Sequence, residues 1–335
     1  GADPSTEGGL DNNAYTNVMA AWVLARGLEV LELLPAGRRR ALAEILEIDD
    51  AELARWERIS RGLVVPFHGD GLISQFEGFE RLEPFPFAAY RERYGEIRRL
   101  DRILEAEGDD PNRYQVSKQA DVLMLFYLFS TEELQAIFER LGYLFTPEKI
   151  FENICWYMAR TVHGSTLSWL THAWVLARAD REESWRLALT ALDSDVADLQ
   201  GGTTPEGIHL GAMAGTVDLM ERCYTGLEVR AHTLVFNPHL RSSDVCSSDL
   251  IRYRRQVLDV RVDQETLTIT SRPTTADTVV VGYRTSARAL GPGQRLTFKL
   301  VPEHKLDRAE RVVEQKRVAE RSRAETCEPT RETTP

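Results

Sequence analysis

The chain is poor in the groups that would most sharply define a partner. Cysteine is scarce: Cys155, Cys223, Cys246 and Cys327 stand far apart, with no CxxC pair. That spacing fits free thiols in a reducing compartment better than a disulfide framework or a zinc site, so the expected location is cytoplasmic and no metal is expected. Basic charge is short as well, with 41 Lys and Arg against 52 Asp and Glu and a formal net charge of -11. Such a chain has no footprint for neutralising nucleic-acid phosphates, and nucleic acid is not an expected partner. No apolar run approaches the ~20 residues of a membrane span, and no charged-then-apolar leader precedes the first helical pattern, so no membrane partner is expected either. An initiator Met is missing, and the opening GADPSTEGGLDNNAYTN already reads as loop. The chain is therefore expected to begin partway through a larger reading frame.

What is present supports a substantial core. At 335 residues and 43% hydrophobic content, one large or two ordinary domains can be built. Apolar residues recur at three and four over 15–34, a helix that Pro35 and Gly37 end. Asp49 and Asp50 open a second helix through Arg58, and 62–85 reads as an ordered loop rich in Gly, Pro and aromatics. An apolar helix is expected over 116–129, and Ser130 with Glu133 forms a capping box for the next. Thr146 and Pro147 start a further helix to about 160, followed by 166–179, 182–192 and 205–223.

Beyond Asn237 the period becomes two. Segments 257–262, 266–270, 278–283 and 296–300 alternate as strands of a small antiparallel module. The tail 301–335 has few large apolar residues and is expected to be charged and disordered. Between helix and strand, 241–250 reads RSSDVCSSDL, and SDVCSSDL is what the sequencing-library adapter string TCAGACGTGTGCTCTTCCGATCT encodes. That stretch is read as an assembly insert replacing native residues, and Cys246 is given no role.

Four places carry groups suited to binding. His163-Gly164-Ser165-Thr166 lies where one helix ends and the next begins, where free N–H groups and the helix dipole attract an anion such as phosphate. On spacing alone the plainer explanation leads: Ser165 caps the helix and His163 is a satisfied loop residue. Gly201 to His209 offers two glycines for a sharp turn, with Glu206 and His209 three apart on one helical face. Gly211, Ala212, Ala214 and Gly215 then leave a bare flank for a neighbouring backbone or a sugar, although on composition alone helix packing is the leading explanation of small residues. Lys118, Gln119 and Asp121 cluster at the head of the apolar helix, where they need partners: sugar hydroxyls, or each other in a Lys118–Asp121 pair. Glu7, in a Gly-rich loop ahead of the first helix, is a candidate general acid. Histidines 68, 172, 232, 239 and 304 show no partner spacing, and Trp156, Trp169, Trp174 and Trp185 occupy core-like helical positions.

Taken together and in order, DNNAYTN, QFEGFERLE, KQADVLMLFYLF, HGSTLS and TTPEGIHLGAMAGTVDL resemble glycoside hydrolase family 65, the family of maltose, trehalose and kojibiose phosphorylases and some acid trehalases. The resemblance implies a mainly α chain: the later part of an (α/α)6 barrel over 1–237, then a small C-terminal antiparallel β domain over 251–300. It also implies that the N-terminal β-sandwich and first half of the barrel lie outside this chain, which alone is expected to be inactive. By similarity, His163, Gly164, Ser165, Thr166 and His209 fall at phosphate-binding positions, and Lys118 and Gln119 at positions that hold the donor glucose. Members carry Gly-Pro-Asp-Glu-Tyr before DNNAYTN with its Glu as acid. Here the ungapped acid position falls on Ser5, so Glu7 takes the role only with a reshaped loop.

The implied reaction is inverting phosphorolysis of an α-linked glucosyl disaccharide to β-glucose 1-phosphate. Phosphate is the co-substrate, no cofactor is implied, and a homodimer is implied for the full-length parent. A phosphorylase needs an acid but no base, and the HGST loop offers hydroxyls and no carboxylate. The alternatives are a trehalase-like α-glucoside hydrolase and a non-catalytic sugar-binding member.

Overall fold

A computed structural model describes residues 10–301 apart from 70, 119, 178–179, 203, 231 and 239–245, with backbone only at 206 and 246–250. Glu7 and Gln119 therefore lie outside the described residues, as do Ser5, Thr203, His239, His304 and the tail from 302. The chain divides into two units, Gly1–Leu219 and Met220–Pro335, so that the described strands at 228–236 belong with the second unit.

The first unit is helical. Its α-helices are α1 (Ala14–Leu33), α2 (Ala36–Leu46), α3 (Asp50–Gly62), α4 (Phe87–Tyr94), α5 (Leu100–Glu107), α6 (Asp121–Leu128), α7 (Thr131–Arg140), α8 (Pro147–Met158), α9 (Thr166–Leu176), α10 (Arg181–Asp193) and α11 (Leu210–Asp218). Polar caps start several of them. Asn13 accepts from the Thr16 N–H, Asp49 from the Glu52 N–H and Asp180 from the Glu183 N–H, each satisfying an otherwise orphaned donor. Ser130 and Glu133 form the expected capping box, whereas the Thr146 side chain makes no cap bond.

Three differences from the periodicity reading bear on the site. First, a two-residue hairpin, β1 (Phe67–His68) and β2 (Leu72–Ile73), interrupts the expected loop. The Ile73 N–H donates to Asn153 at 2.8 Å and the Tyr157 hydroxyl donates to the Ile73 carbonyl at 2.5 Å, which pins the hairpin to α8. Second, residues 116–118 and 120 are not helical. Ser117 pairs with Thr161 in a parallel bridge, its N–H donating to the Arg160 carbonyl and its carbonyl accepting from the Val162 N–H, so α6 begins only at Asp121. Third, 205–223 is not one helix: a 3-10 turn at Thr204–Glu206 breaks at Gly207, whose φ of 141° is open to glycine alone, and α11 starts after His209. A π-helical stretch, Leu219–Tyr224, follows α11.

The core of this unit forms around α1, α6, α7 and α8, with Val18, Phe79, Leu123, Phe138 and Tyr157 all at most 2% exposed. A side chain of Leu or Phe size contributes about 1.5–3 kcal/mol when it is fully buried. Helix α9 is buried along most of its length, including Trp169, Leu170, Ala173 and Leu176. The Ser184 hydroxyl donates to the Ala173 carbonyl at 2.6 Å, which ties α10 to it.

The second unit carries β3 (Glu228–Arg230), β4 (Thr233–Phe236), β5 (Cys246–Tyr253), β6 (Gln256–Val262), β7 (Thr266–Ser271), β8 (Val279–Tyr283), β9 (Ser286–Leu290) and β10 (Arg295–Lys299). They form two four-stranded sheets, ordered β10-β7-β6-β5 and β3-β4-β8-β9. Alternation explains the packing: β7 buries Leu267, Ile269 and Ser271 and turns the intervening residues outward. Leu234 and Val281 from one sheet share a core with Leu258, Ile269 and Phe298 from the other. All ladders within the two sheets are antiparallel except β4 with β8, which is parallel. The β5–β6 ladder has a register shift between Ser248 and Ile251, inside and beside the segment read as an insert.

Candidate functional site

His163 anchors the loop between α8 and α9 in a left-handed conformation, φ 53°. Such backbone is uncommon for a non-glycine residue and persists where surrounding bonds enforce it. Here the Gln200 amide donates to the His163 carbonyl at 3.2 Å, and Nδ1 of the ring lies 2.9 Å from the Ser168 hydroxyl. The ring packs near-parallel to Trp169, with centroids 6.1 Å apart at 22°, and edge-on to His172 at 4.5 Å. Burial first, then the positive charge of Arg98, push the His163 pKa down to about 4, so the imidazole is uncharged at neutral pH.

Gly164 lets a cation approach. A Cβ at this position would stand 2.8 Å from Cγ of Lys118 and 3.3 Å from the Arg98 carbonyl, so only a bare backbone allows the Lys118 stem to run there. The Ser117–Thr161 bridge brings the two segments together. Lys118 does not pair with Asp121: its ammonium is 3.5 Å from Asp101, and Asp121 instead accepts from the Gln75 amide at 2.9 Å. Gln75 accepts in turn from the Ser117 hydroxyl at 2.9 Å, which leaves Lys118 exposed beside the loop.

Ser165 precedes α9, but its side chain makes no cap bond. The plain-cap explanation of HGST is therefore not what the loop does. Arg98 lies alongside, its guanidinium 5.4 Å from the Trp169 ring centroid and donating to the Leu199 carbonyl at 3.0 Å.

His209 enters from the segment that carries Gln200. Asp195, 6% exposed, accepts from the His209 N–H at 2.8 Å with one carboxylate oxygen and lies 2.5 Å from His209 Nδ1 with the other. The bond from His209 holds the Asp195 carboxyl below its ordinary range. Glu206 and His209 do not share one helical face as expected, because Gly207 separates the 3-10 turn from α11. The bare flank of α11 serves two ends: a Cβ on Gly215 would meet Leu170 at 2.5 Å, which is helix packing, while Gly211 faces open space.

Sequence reasoning found His163, Lys118 and His209 but missed Ser168, His172, Arg98, Asp195 and Gln200. Ser168 lies inside the quoted HGSTLS string, and its five-residue distance from His163 was a usable signal. The others are set by tertiary structure. The tryptophans behave as packing residues: Trp169 is 3% exposed, and Trp156 lies edge-on to Tyr157 at 4.7 Å.

No helix among the described residues is long and apolar enough to cross a membrane. Lys118, the rings of His163 and His172 and the Ser168 hydroxyl thus gather around the start of α9. The chain belongs to glycosyl hydrolase family 65: the model of that family's central catalytic domain matches residues 4–218. It is 49% identical to an uncharacterized glycosyl hydrolase of Mycobacterium tuberculosis over 288 residues, 86% of this chain and 22% of that protein. It is 36% identical to a trehalose 6-phosphate phosphorylase of Lactococcus lactis, covering 72% of this chain and 30% of the relative. The chain thus spans under a third of the length of these relatives. A solved structure from the human microbiome, described as a kojibiose phosphorylase, matches with a TM-score of 0.67 at 21% identity, over 88% of this chain and 40% of that one. That likeness shows the fold, a partial helical barrel followed by a small β domain.

Proposed function

We propose that the full-length protein catalyses inverting phosphorolysis of an α-linked glucosyl disaccharide, releasing β-glucose 1-phosphate and a sugar. In this reading His163, Gly164, Ser165, Thr166 and His209 hold phosphate, Lys118 and Gln119 hold the donor glucose, and Glu7 is the candidate acid that protonates the departing oxygen. The observation that carries it is the state of Asp195. A hydrolase needs a carboxylate free to activate water opposite the acid, but this carboxylate spends both oxygens on His209. Phosphate needs no base, since it is already a nucleophile and requires only positioning. Arg98, paired with Glu96 at 2.7 Å, and Lys118, 3.5 Å from Asp101, stand beside a loop of hydroxyls and backbone N–H groups, donors that an oxyanion favours. The relatives named as phosphorylases support the same choice.

The test is an assay of the full-length protein on α-linked glucosyl disaccharides with and without phosphate. Phosphate-dependent formation of glucose 1-phosphate is the expected result. Release of free glucose at the same rate without phosphate overturns the reading in favour of a trehalase-like hydrolase, and binding of phosphate and glucose without turnover overturns it in favour of a sugar-binding member.

A further inference from the structure

The Ser168 hydroxyl stands between two groups and has one hydrogen to give. Its oxygen is 2.7 Å from the Ser165 carbonyl oxygen and 2.9 Å from His163 Nδ1. Two oxygens at the shorter distance repel unless the hydrogen lies between them, and a carbonyl can only accept. The hydroxyl therefore donates to Ser165, and toward His163 it can act only as an acceptor. Nδ1 must then carry the ring's proton, which leaves Nε2 as a bare lone pair. No described residue bonds Nε2, and His163 is only partly buried.

The surroundings keep the ring in this neutral form. Arg98, Arg186 and Arg91 face it with positive charge, Glu183 opposes them, and the neighbouring His172 on α9 is itself pushed down to about 3, mainly by burial.

A lone pair in an anion site selects by protonation. An oxyanion that still bears a hydroxyl can donate to it, whereas one with none meets it lone pair against lone pair. Resting on the phosphorolysis reading above, we propose that Ser168 is a positioning residue that fixes His163 as its Nδ1–H tautomer, so that the site accepts hydrogen-bearing oxyanions and rejects sulfate. At neutral pH phosphate and arsenate keep at least one hydroxyl. Sulfate, of nearly the same size and shape, keeps none. No proton changes owner in this step: the oxyanion hydroxyl donates to Nε2, and the loop N–H groups and hydroxyls take the unprotonated oxygens.

The test is calorimetric titration of the full-length protein with phosphate, arsenate and sulfate at pH 7. Phosphate and arsenate should bind alike, and sulfate about a hundredfold or more weaker, since a site built around one hydrogen bond rejects an analogue lacking it strongly. Ser168→Ala releases the tautomer, while the Ser165 carbonyl keeps its bond from the Ser168 N–H at 3.1 Å. In that variant the gap should narrow to about tenfold or less. A purely structural role for Ser168 would weaken all three anions equally and leave the gap in place, which overturns the proposal. His163→Gln, whose amide can turn either face to the anion, should narrow the gap too, and decides the matter should Ser168→Ala fail to fold. Sulfate binding within tenfold of phosphate in the unaltered protein overturns the inference alone. Failure of phosphate itself to bind overturns the phosphorolysis reading beneath it.

Discussion

Asp195 directs both carboxylate oxygens at one residue, which makes His209 a held group rather than a free one. Asp195→Asn keeps the volume but removes the charge that fixes Nδ1. The expected outcome is a rise in the phosphate KM of the full-length protein by about tenfold to a hundredfold, the range of a hydrogen bond to a charged group, with a smaller change in kcat. An unchanged KM contradicts the assignment of His209 to phosphate. His172 makes a different prediction. Its Nε2 is buried without a hydrogen-bond partner among the described residues, and burial depresses its pKa to about 3. Unfolded, it titrates near ~6.5. Between these values the unfolded chain binds a proton that the folded chain refuses, so stability drops as pH falls below about 6.5. His163, pushed down to about 4, adds to the same drop. Melting temperature should therefore fall from pH 7 to pH 5, and by less in His172→Leu. An equal fall in both proteins contradicts the account.

Helix α11 packs on α9 through its smallest residue. Gly215→Ala places a Cβ 2.5 Å from the Leu170 side chain, and overpacking of this kind destabilises by about 1–3 kcal/mol. Gly211→Ala on the open side should leave the melting temperature unchanged, and Leu170→Ala should remove most of the Gly215→Ala penalty. Equal effects of the two glycine substitutions would show that α11 does not sit against Leu170. Strands β6 and β7 bury every other residue and were readable in the sequence, as were α1, α9 and α10, whereas β4 buries three residues in a row and β9 exposes four of five, so neither alternates and neither was read as a strand. Helices α2 and α4 bury none of their residues, so neither carries a buried stripe, and α5 places Leu100 and Leu104 at helical spacing but over only eight residues. The extended entry to Lys118 was hidden for another reason. Its conformation comes from pairing with Thr161, which no local pattern in 116–129 announces.

The same division runs through the whole molecule. The site's local parts, HGSTLS and the Lys118 segment, were visible as strings, because their groups lie within a few residues of one another. The groups that set their electrostatics, Arg98, Gln200 and Asp195, arrive from separate elements and became visible only in three dimensions. Family membership rested on the order of several strings along the chain, and the match over residues 4–218 bears it out. At this scale the central claim is a reaction, and its stereochemistry is the most direct readout. Proton NMR of the full-length protein acting on an α-linked glucosyl disaccharide in phosphate should show β-glucose 1-phosphate as the first product, and none without phosphate. Glucose 1-phosphate of the α configuration, or free glucose formed whether or not phosphate is present, would contradict the account.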